Sequence, residues 1–188
     1  MANHAKVLTD IEFQHVLNVA KEHRYTERTR ILLMLSHKAG MRVSEIASLK
    51  ISDVVLPTGQ ITDQIRLRAD QTKGAKARTV YVNDTLRAEL DVYLRFAKLE
   101  NDSALIPSQR GGHFSPNSLC QVFYHTFKRA DLVGASSHSG RRKFITTLHN
   151  ANVPMRHIQK LVGHNHLTTT QAYLDATDTD LRKAVMQA

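Results

Sequence analysis

Residues 60–82 break the helical spacing that governs the rest of this chain, and any fold it adopts must accommodate that break. From Gln60 to Leu67 the apolar residues Ile61, Ile65 and Leu67 alternate with polar ones, and Thr79-Val80-Tyr81-Val82 is β-branched and aromatic. Alternation of this kind sets one side of an extended chain against a core and the other in solvent. Between the two runs lies Gln71-Thr72-Lys73-Gly74-Ala75-Lys76, so two or three antiparallel strands are expected, with Lys73 near a turn.

The flanking sequence reads as helices. Thr9 can cap a helix and Glu12, three residues on, can complete a capping box, after which Phe13, Val16, Leu17 and Ala20 recur at helical spacing. Thr29 to Ala39 reads as a buried helix through Ile31, Leu32, Met34 and Leu35, with Gly40 as its stop, and a short helix from Val43 to Leu49 follows. Asp84 to Leu99 carries Leu86, Leu90, Tyr93, Leu94 and Ala97 on one face. Ser108 to Phe114, with Gly111-Gly112, reads as a loop, and Ser115-Pro116 opens a helix to about Ala130. Further helices are expected over His138–Ala151, Pro154–Val162 and Thr168–Leu174, with a last amphipathic segment from Thr179 to Met186. The expected class is α+β: a mostly helical domain with one small antiparallel β-sheet or hairpin.

At 188 residues there is enough chain for one ordinary globular core, and residues 1–188 are read as a single domain. No apolar run approaches the roughly eighteen residues that span a bilayer. Met1 to Lys6 lacks the apolar core of a signal peptide, and the one cysteine, Cys120, cannot form an internal disulfide, so a cytoplasmic protein with no membrane association is expected. Lys and Arg number 26 against 17 Asp and Glu, a net charge of +9. That excess suits a polyanion, whose neutralised phosphates release counterions, but a basic soluble protein of another kind carries it equally well.

Chemistry enters with a set of scattered side chains. Gly40-Met41-Arg42-Val43-Ser44-Glu45 offers Arg42 and Glu45; the hairpin offers Lys73; His138-Ser139-Gly140-Arg141-Arg142 offers His138 and Arg141. Leu161-Val162-Gly163-His164 and, nine positions beyond its histidine, Tyr173 complete the set. It holds one potential nucleophile, two guanidiniums, two imidazoles and an ammonium, and no paired carboxylates. Guanidinium forks match the non-bridging oxygens of a phosphate in a pentavalent transition state better than an ammonium does, and a phenol can attack such a phosphate. Arg42 and Arg141 each stand beside an expected helix start, and His138 and Arg141, at i and i+3, are expected on one helical face. Taken singly, each is more often a surface charge, a capping histidine or a core tyrosine.

In this order, and with Leu161 to Tyr173 matching nearly throughout, the chain resembles the tyrosine recombinase (phage integrase) family, over about Leu8 to Tyr173 and the tail beyond. The resemblance implies a site-specific recombinase that cuts DNA through a 3′-phosphotyrosine, with Tyr173 as nucleophile. Arg42 and Arg141 would clamp the non-bridging oxygens and Lys73 would protonate the departing 5′-oxygen. His138 would accept or relay the phenolic proton, His164 would hydrogen-bond the phosphate, and Glu45 would orient neighbouring basic groups. It further implies double-stranded DNA as partner, a homo-tetramer on that DNA, and no cofactor, because the phosphodiester energy is kept in the phosphotyrosine. Larger members carry an N-terminal helical domain that clamps the other face of the DNA; no such domain is expected within these 188 residues, which would suit either an excised catalytic domain or a small recombinase like the fimbrial phase-variation enzymes. Gly140 departs from the family's larger apolar residue and is expected to loosen the helix start. Lys76 is a second lysine on the hairpin.

Other functions compete. Met41 to Val54 resembles half of a helix-turn-helix, which would suit a DNA-binding regulator without catalysis but leaves Tyr173, His164 and the His138/Arg141 pair unexplained. A type IB topoisomerase uses the same chemistry without strand exchange. Zinc on His164, His166, His157 or Cys120 is not expected, since no Cys-x-x-Cys or His-Glu-x-x-His spacing occurs. The segment after Asp178 can pack on its own core or, by the family resemblance, dock on a neighbouring protomer.

Overall fold

The structure, a computed structural model, describes residues 5–22, 24–72, 74–97, 100–173 and 185–186. Lys73, and all but Val185 and Met186 of the expected terminal helix, lie outside the described residues. The chain divides into two compact units, residues 1–144 and 145–188.

In the first unit, helix α1 (Asp10–Lys21) begins with the expected reciprocal box: Thr9 Oγ1 accepts from the Glu12 N–H at 3.2 Å and Glu12 Oε2 accepts from the Thr9 N–H at 2.9 Å. Phe13, Val16, Leu17 and Ala20 are buried against α2 (Thr26–Ala39). α2 starts three residues earlier than the apolar pattern suggested, and every residue from Ile31 to His37 is buried, the mark of a central helix. Gly40 ends it in the left-handed region (φ 59°), where a side chain would also strike the Phe144 ring, so glycine is required there on two counts. Short α3 (Val43–Ser48) follows at once, and a single 3-10 turn at Ile51–Asp53 stands where a helix-turn-helix would place its second helix.

The sheet has two strands among the described residues, β1 (Gln64–Leu67) and β2 (Arg78–Tyr81), antiparallel with Ile65 opposite Val80 and Leu67 opposite Arg78. Ile65, Leu67 and Val80 turn inward, as the alternation required. Helix α4 (Asp84–Ala97) is capped by Asn83, whose Oδ1 accepts from the Leu86 N–H at 2.9 Å, and buries Leu86, Leu90 and Tyr93 against α2. Helix α5 (Pro116–Arg129) is capped by Ser115 with proline in its first turn, and packs Leu119, Phe123 and Phe127 inward. Each such fully buried Leu or Phe contributes about 2–3 kcal/mol over leaving it exposed.

Helix α6 (Ser139–Asn150) contains the division between the units. In the second unit, α7 (Met155–Val162) buries Ile158 and Val162 and ends at Gly163 in the left-handed region (φ 63°), and α8 (Leu167–Gln171) packs on it. The sequence suggested a helix from Thr168 to Leu174; the helix instead closes at Gln171, and Tyr173 follows in a turn whose N–H donates to Thr170 O at 3.1 Å.

Candidate functional site

Arg42 occupies the N-cap position of α3, so Glu45 is the third residue of that helix and its carboxylate reaches back over the helix start. Glu45 Oε2 accepts from the Arg42 backbone N–H at 2.8 Å, and Oε1 accepts from Arg42 Nη1 at 2.9 Å. The carboxylate is fully buried. A second arginine approaches it from β2: Arg78 Nε donates to Oε1 at 3.0 Å and Arg78 Nη2 to Oε2 at 2.7 Å. Burial opposes the charged carboxylate, but the bond and charge of Arg78, and then those of Arg42, outweigh it and hold Glu45 below the ordinary carboxylate range. The Arg42 side chain keeps 21% of its surface exposed against 8% for Arg78, so of the two guanidiniums Arg42 is the one presented outward.

Arg78 was missed in the sequence, although a signal was present. It shares a strand face with Val80 and lies across from buried Leu67, and an arginine on the inward face of a half-buried strand needs a carboxylate partner.

Arg141, in the first turn of α6, is only 2% exposed and donates from Nη1 to the carbonyl oxygen of Gly40. Gly40 closes α2 two residues before Arg42, so that bond anchors Arg141 at the entrance to α3 and supplies a cation to the negative end of α2. His138 is exposed and lies one residue before α6 rather than on its face; its carbonyl accepts the Arg142 N–H at 2.9 Å, which makes it the N-cap residue. Gly140, expected to loosen the helix start, has a packing reason that the sequence did not suggest. It is buried at a close approach to α2, where an added Cβ would stand 2.5 Å from Ser36 Oγ and 3.1 Å from His37 N.

In the second unit, Gly163 turns the chain sharply so that His164 folds back under α8. Gln159 Nε2 donates to the His164 and Asn165 carbonyl oxygens at 3.1 and 3.3 Å and fixes this corner. The His164 ring is 9% exposed; its Nδ1 pairs with Thr170 Oγ1 at 2.9 Å, and its centroid stands 5.3 Å from that of Tyr173. The pairing at Nδ1 fixes the orientation of the ring. Thr170 is fully buried and was not foreseen, because nothing in Thr168-Thr169-Thr170 distinguishes one threonine from its neighbours before the Gly163 turn is known. Tyr173 itself is half-buried.

The structure thus joins Arg42 with Glu45, ties Arg141 to the residue before Met41, and joins His164 with Tyr173. An open groove of about 670 Å³ flanks α3, lined among others by Ser44, Ser48, Lys50, Arg68 and His113. No group of three or more His, Cys, Asp or Glu side chains among the described residues could hold a metal ion, and no described helix is long and apolar enough to cross a membrane.

The fold is that of a tyrosine recombinase catalytic domain. It matches the crystal structure of XerA recombinase with a TM-score of 0.78 at 26% identity, over 98% of this chain and 63% of that one. XerH recombinase bound to a palindromic difH substrate shares the fold with a TM-score of 0.75 at 23% identity, over 98% of this chain and 53% of that one. The chain belongs to the phage integrase family, whose model matches residues 6–180. It is 31% identical to tyrosine recombinase XerA of Pyrococcus horikoshii over 185 residues, and 35% identical to XerA of Thermococcus kodakarensis over 185 residues. These alignments cover 97% of this chain but 61% and 62% of the relatives, so the chain spans about three-fifths of their length.

Proposed function

We propose that residues 1–188 are the catalytic domain of a site-specific DNA recombinase that cuts and rejoins double-stranded DNA through a 3′-phosphotyrosine. The observation that carries this reading is the pairing of Tyr173 with a histidine that is itself pinned: the His164 ring is buried, bonded to Thr170 and 5.3 Å from the phenol ring. An imidazole held this way can donate to a phosphate oxygen beside the attacking phenol without reorganising.

The Tyr173 oxygen attacks the scissile phosphorus as its proton passes to His138, and the bond to the 5′-oxygen breaks as Lys73 protonates that oxygen. Arg42 and Arg141 neutralise the charge gathering on the non-bridging oxygens, His164 adds a hydrogen bond there, and Glu45 holds Arg42. The phosphoester is conserved, so an incoming 5′-hydroxyl reverses the step on a new strand. Exchange between two sites engages four copies of the chain, and the basic balance of 26 Lys and Arg over 17 Asp and Glu supports binding to the phosphate backbone. Lys50 and Arg68 line the groove beside α3 in exposed ion pairs, with Asp102 and with Asp53 and Asp70, that a phosphate would have to displace before either could contribute.

Covalent trapping tests the reading. The protein is incubated with fragmented genomic DNA, quenched in detergent, and the protein-linked DNA is recovered and sequenced, with Tyr173→Phe in parallel. DNA attached to the unaltered chain and missing from the variant is the expected outcome. Equal attachment in the variant, or none with either protein, sinks it.

A further inference from the structure

We propose that Arg78 is a positioning residue for the phosphate clamp, acting on Arg42 through the buried carboxylate of Glu45; this deepens the recombinase reading and rests on it. Each Glu45 oxygen takes one bond from each arginine: Oε1 from Arg42 Nη1 and Arg78 Nε, Oε2 from the Arg42 N–H and Arg78 Nη2. Arg78 therefore grips the carboxylate with two donors in one plane, the geometry that a guanidinium supplies and an ammonium cannot.

This grip settles two matters that Arg42 and Glu45 alone leave open. The terminal torsion of a glutamate is broad and roughly two-fold, and Arg42 restrains it only from the same helix start, by one bond from its N–H and one from the Nη1 of its own long side chain. The fork from β2 fixes the carboxylate plane, which fixes the direction in which the remaining face of Arg42 points. Charge is the second matter. Arg42 with Glu45 is a neutral pair, and a neutral pair attracts a phosphate weakly; adding Arg78 returns the cluster to a net charge of one. The placement suits support rather than contact, since the Arg78 side chain is 8% exposed and that of Arg42 21%.

The two contributions separate by substitution. Arg78→Lys keeps the charge and loses the fork, whereas Arg78→Gln loses both. The substrate is a duplex carrying the cleavage site recovered by trapping, made in two forms: the natural diester, and a methylphosphonate in which one non-bridging oxygen at the scissile phosphate is a methyl group. The methylphosphonate is uncharged, so a clamp that works by neutralising charge matters less to it. Covalent adduct formation in a single turnover is followed with both forms, and the ratio of the two rates is taken for each variant. Because both rates come from one preparation, the ratio does not depend on how much of a variant is folded.

Arg78→Lys is expected to slow adduct formation on the diester at least tenfold and on the methylphosphonate markedly less, as Arg42→Gln should also do. In the Arg42→Gln background, Arg78→Lys should add little further loss on the diester. An equal fold-loss on both substrates would make Arg78 a merely structural residue, and an undiminished diester rate would remove its role altogether; either overturns the proposal. Absence of adduct with the unaltered chain on either substrate would instead overturn the recombinase reading, and this inference with it.

Discussion

Gly140→Ala tests the packing that seats Arg141. In an exposed helix interior the change would stabilise by about 1 kcal/mol, since alanine is the better helix former. Here the new methyl would stand 2.5 Å from Ser36 Oγ, 3.0 Å from Ser36 Cβ and 3.1 Å from the His37 backbone nitrogen. Carbon contacts settle near 3.5–4.0 Å, so relief requires a shift of roughly half an ångström. The hydroxyl can rotate away, but Ser36 Cβ and the His37 nitrogen belong to the body of α2, and the shift must come from one helix leaving the other. Three contacts this short put the overpacking in the upper part of its usual range, about 2–3 kcal/mol, which leaves a net loss of about 1–2 kcal/mol after the propensity gain. For a chain of 188 residues that lowers the melting temperature by roughly 2–8 °C, readable by circular dichroism. Ser36→Gly removes both Ser36 contacts, so the penalty of Gly140→Ala should shrink by at least half in that background, a coupling of about 1 kcal/mol. A Gly140→Ala variant that melts at or above the unaltered protein, or a penalty indifferent to Ser36→Gly, would refute the reasoning.

Two further outcomes follow from buried imidazoles. His37 stacks on Phe13 with ring centroids 3.6 Å apart, and burial first, then the charges of Lys38 and Lys143, push its pKa from 6.5 down to about 4 against a smaller opposing pull from Asp10. The folded state therefore binds fewer protons than the unfolded chain between about pH 4 and 6.5, so this contribution is complete above 6.5 and is lost as the pH falls through that window, by at most about 3 kcal/mol. His37→Phe keeps the stack and should flatten the fall in melting temperature between pH 7 and 4.5; an unchanged slope would assign that fall to other groups. Thr170→Val removes the partner of His164 Nδ1 at nearly constant volume, so stability should change by no more than about 1–2 kcal/mol while adduct formation slows. The nitrogen-15 shifts of the His164 ring should then report a redistributed tautomer, and unaltered shifts with an unaltered rate would deny Thr170 any part in orienting it.

Where a helix begins or ends was legible because local chemistry decides it. Thr9 with Glu12, Ser115 before Pro116, Gly40 and Gly163 each satisfy or terminate backbone donors and acceptors within a few residues, and each did so where expected. The hairpin was legible for a similar reason, since a period of two admits one inward face. Less legible was α8. Thr168 to Leu174 has no terminator in its sequence, and the helix closes at Gln171 because the chain after Gly163 is drawn back toward α7, with Thr170 turned under it to meet His164. Arg141 and Glu45 could be picked out as residue types, but their partners could not: the Gly40 carbonyl lies 101 positions from Arg141, and Arg78 lies 33 from Glu45.

The buried polar groups explain why partners, more than residues, define this site. Taking a guanidinium or carboxylate out of water costs several kcal/mol per ion, and a well-packed apolar replacement for a buried ion pair is often as stable or more so. On stability alone, Glu45 at 0% and Arg141 at 2% exposure are poor choices for a core that already buries Leu35, Ile46 and Phe123. What such groups supply is direction: a carboxylate bonded through both oxygens and a guanidinium tied to a helix-terminal carbonyl each hold one orientation. Exposed lysines and arginines carry the same charge without that constraint. A charge fixed in direction before the substrate arrives need not be reorganised as a phosphate passes through its transition state, and that saving is realised only if every bond holding it is already made. On the proposed recombinase reading, the sequence motif marks the side chains nearest the reaction, while Arg78 and Thr170, bonded to Glu45 and His164, are the ones that would aim them.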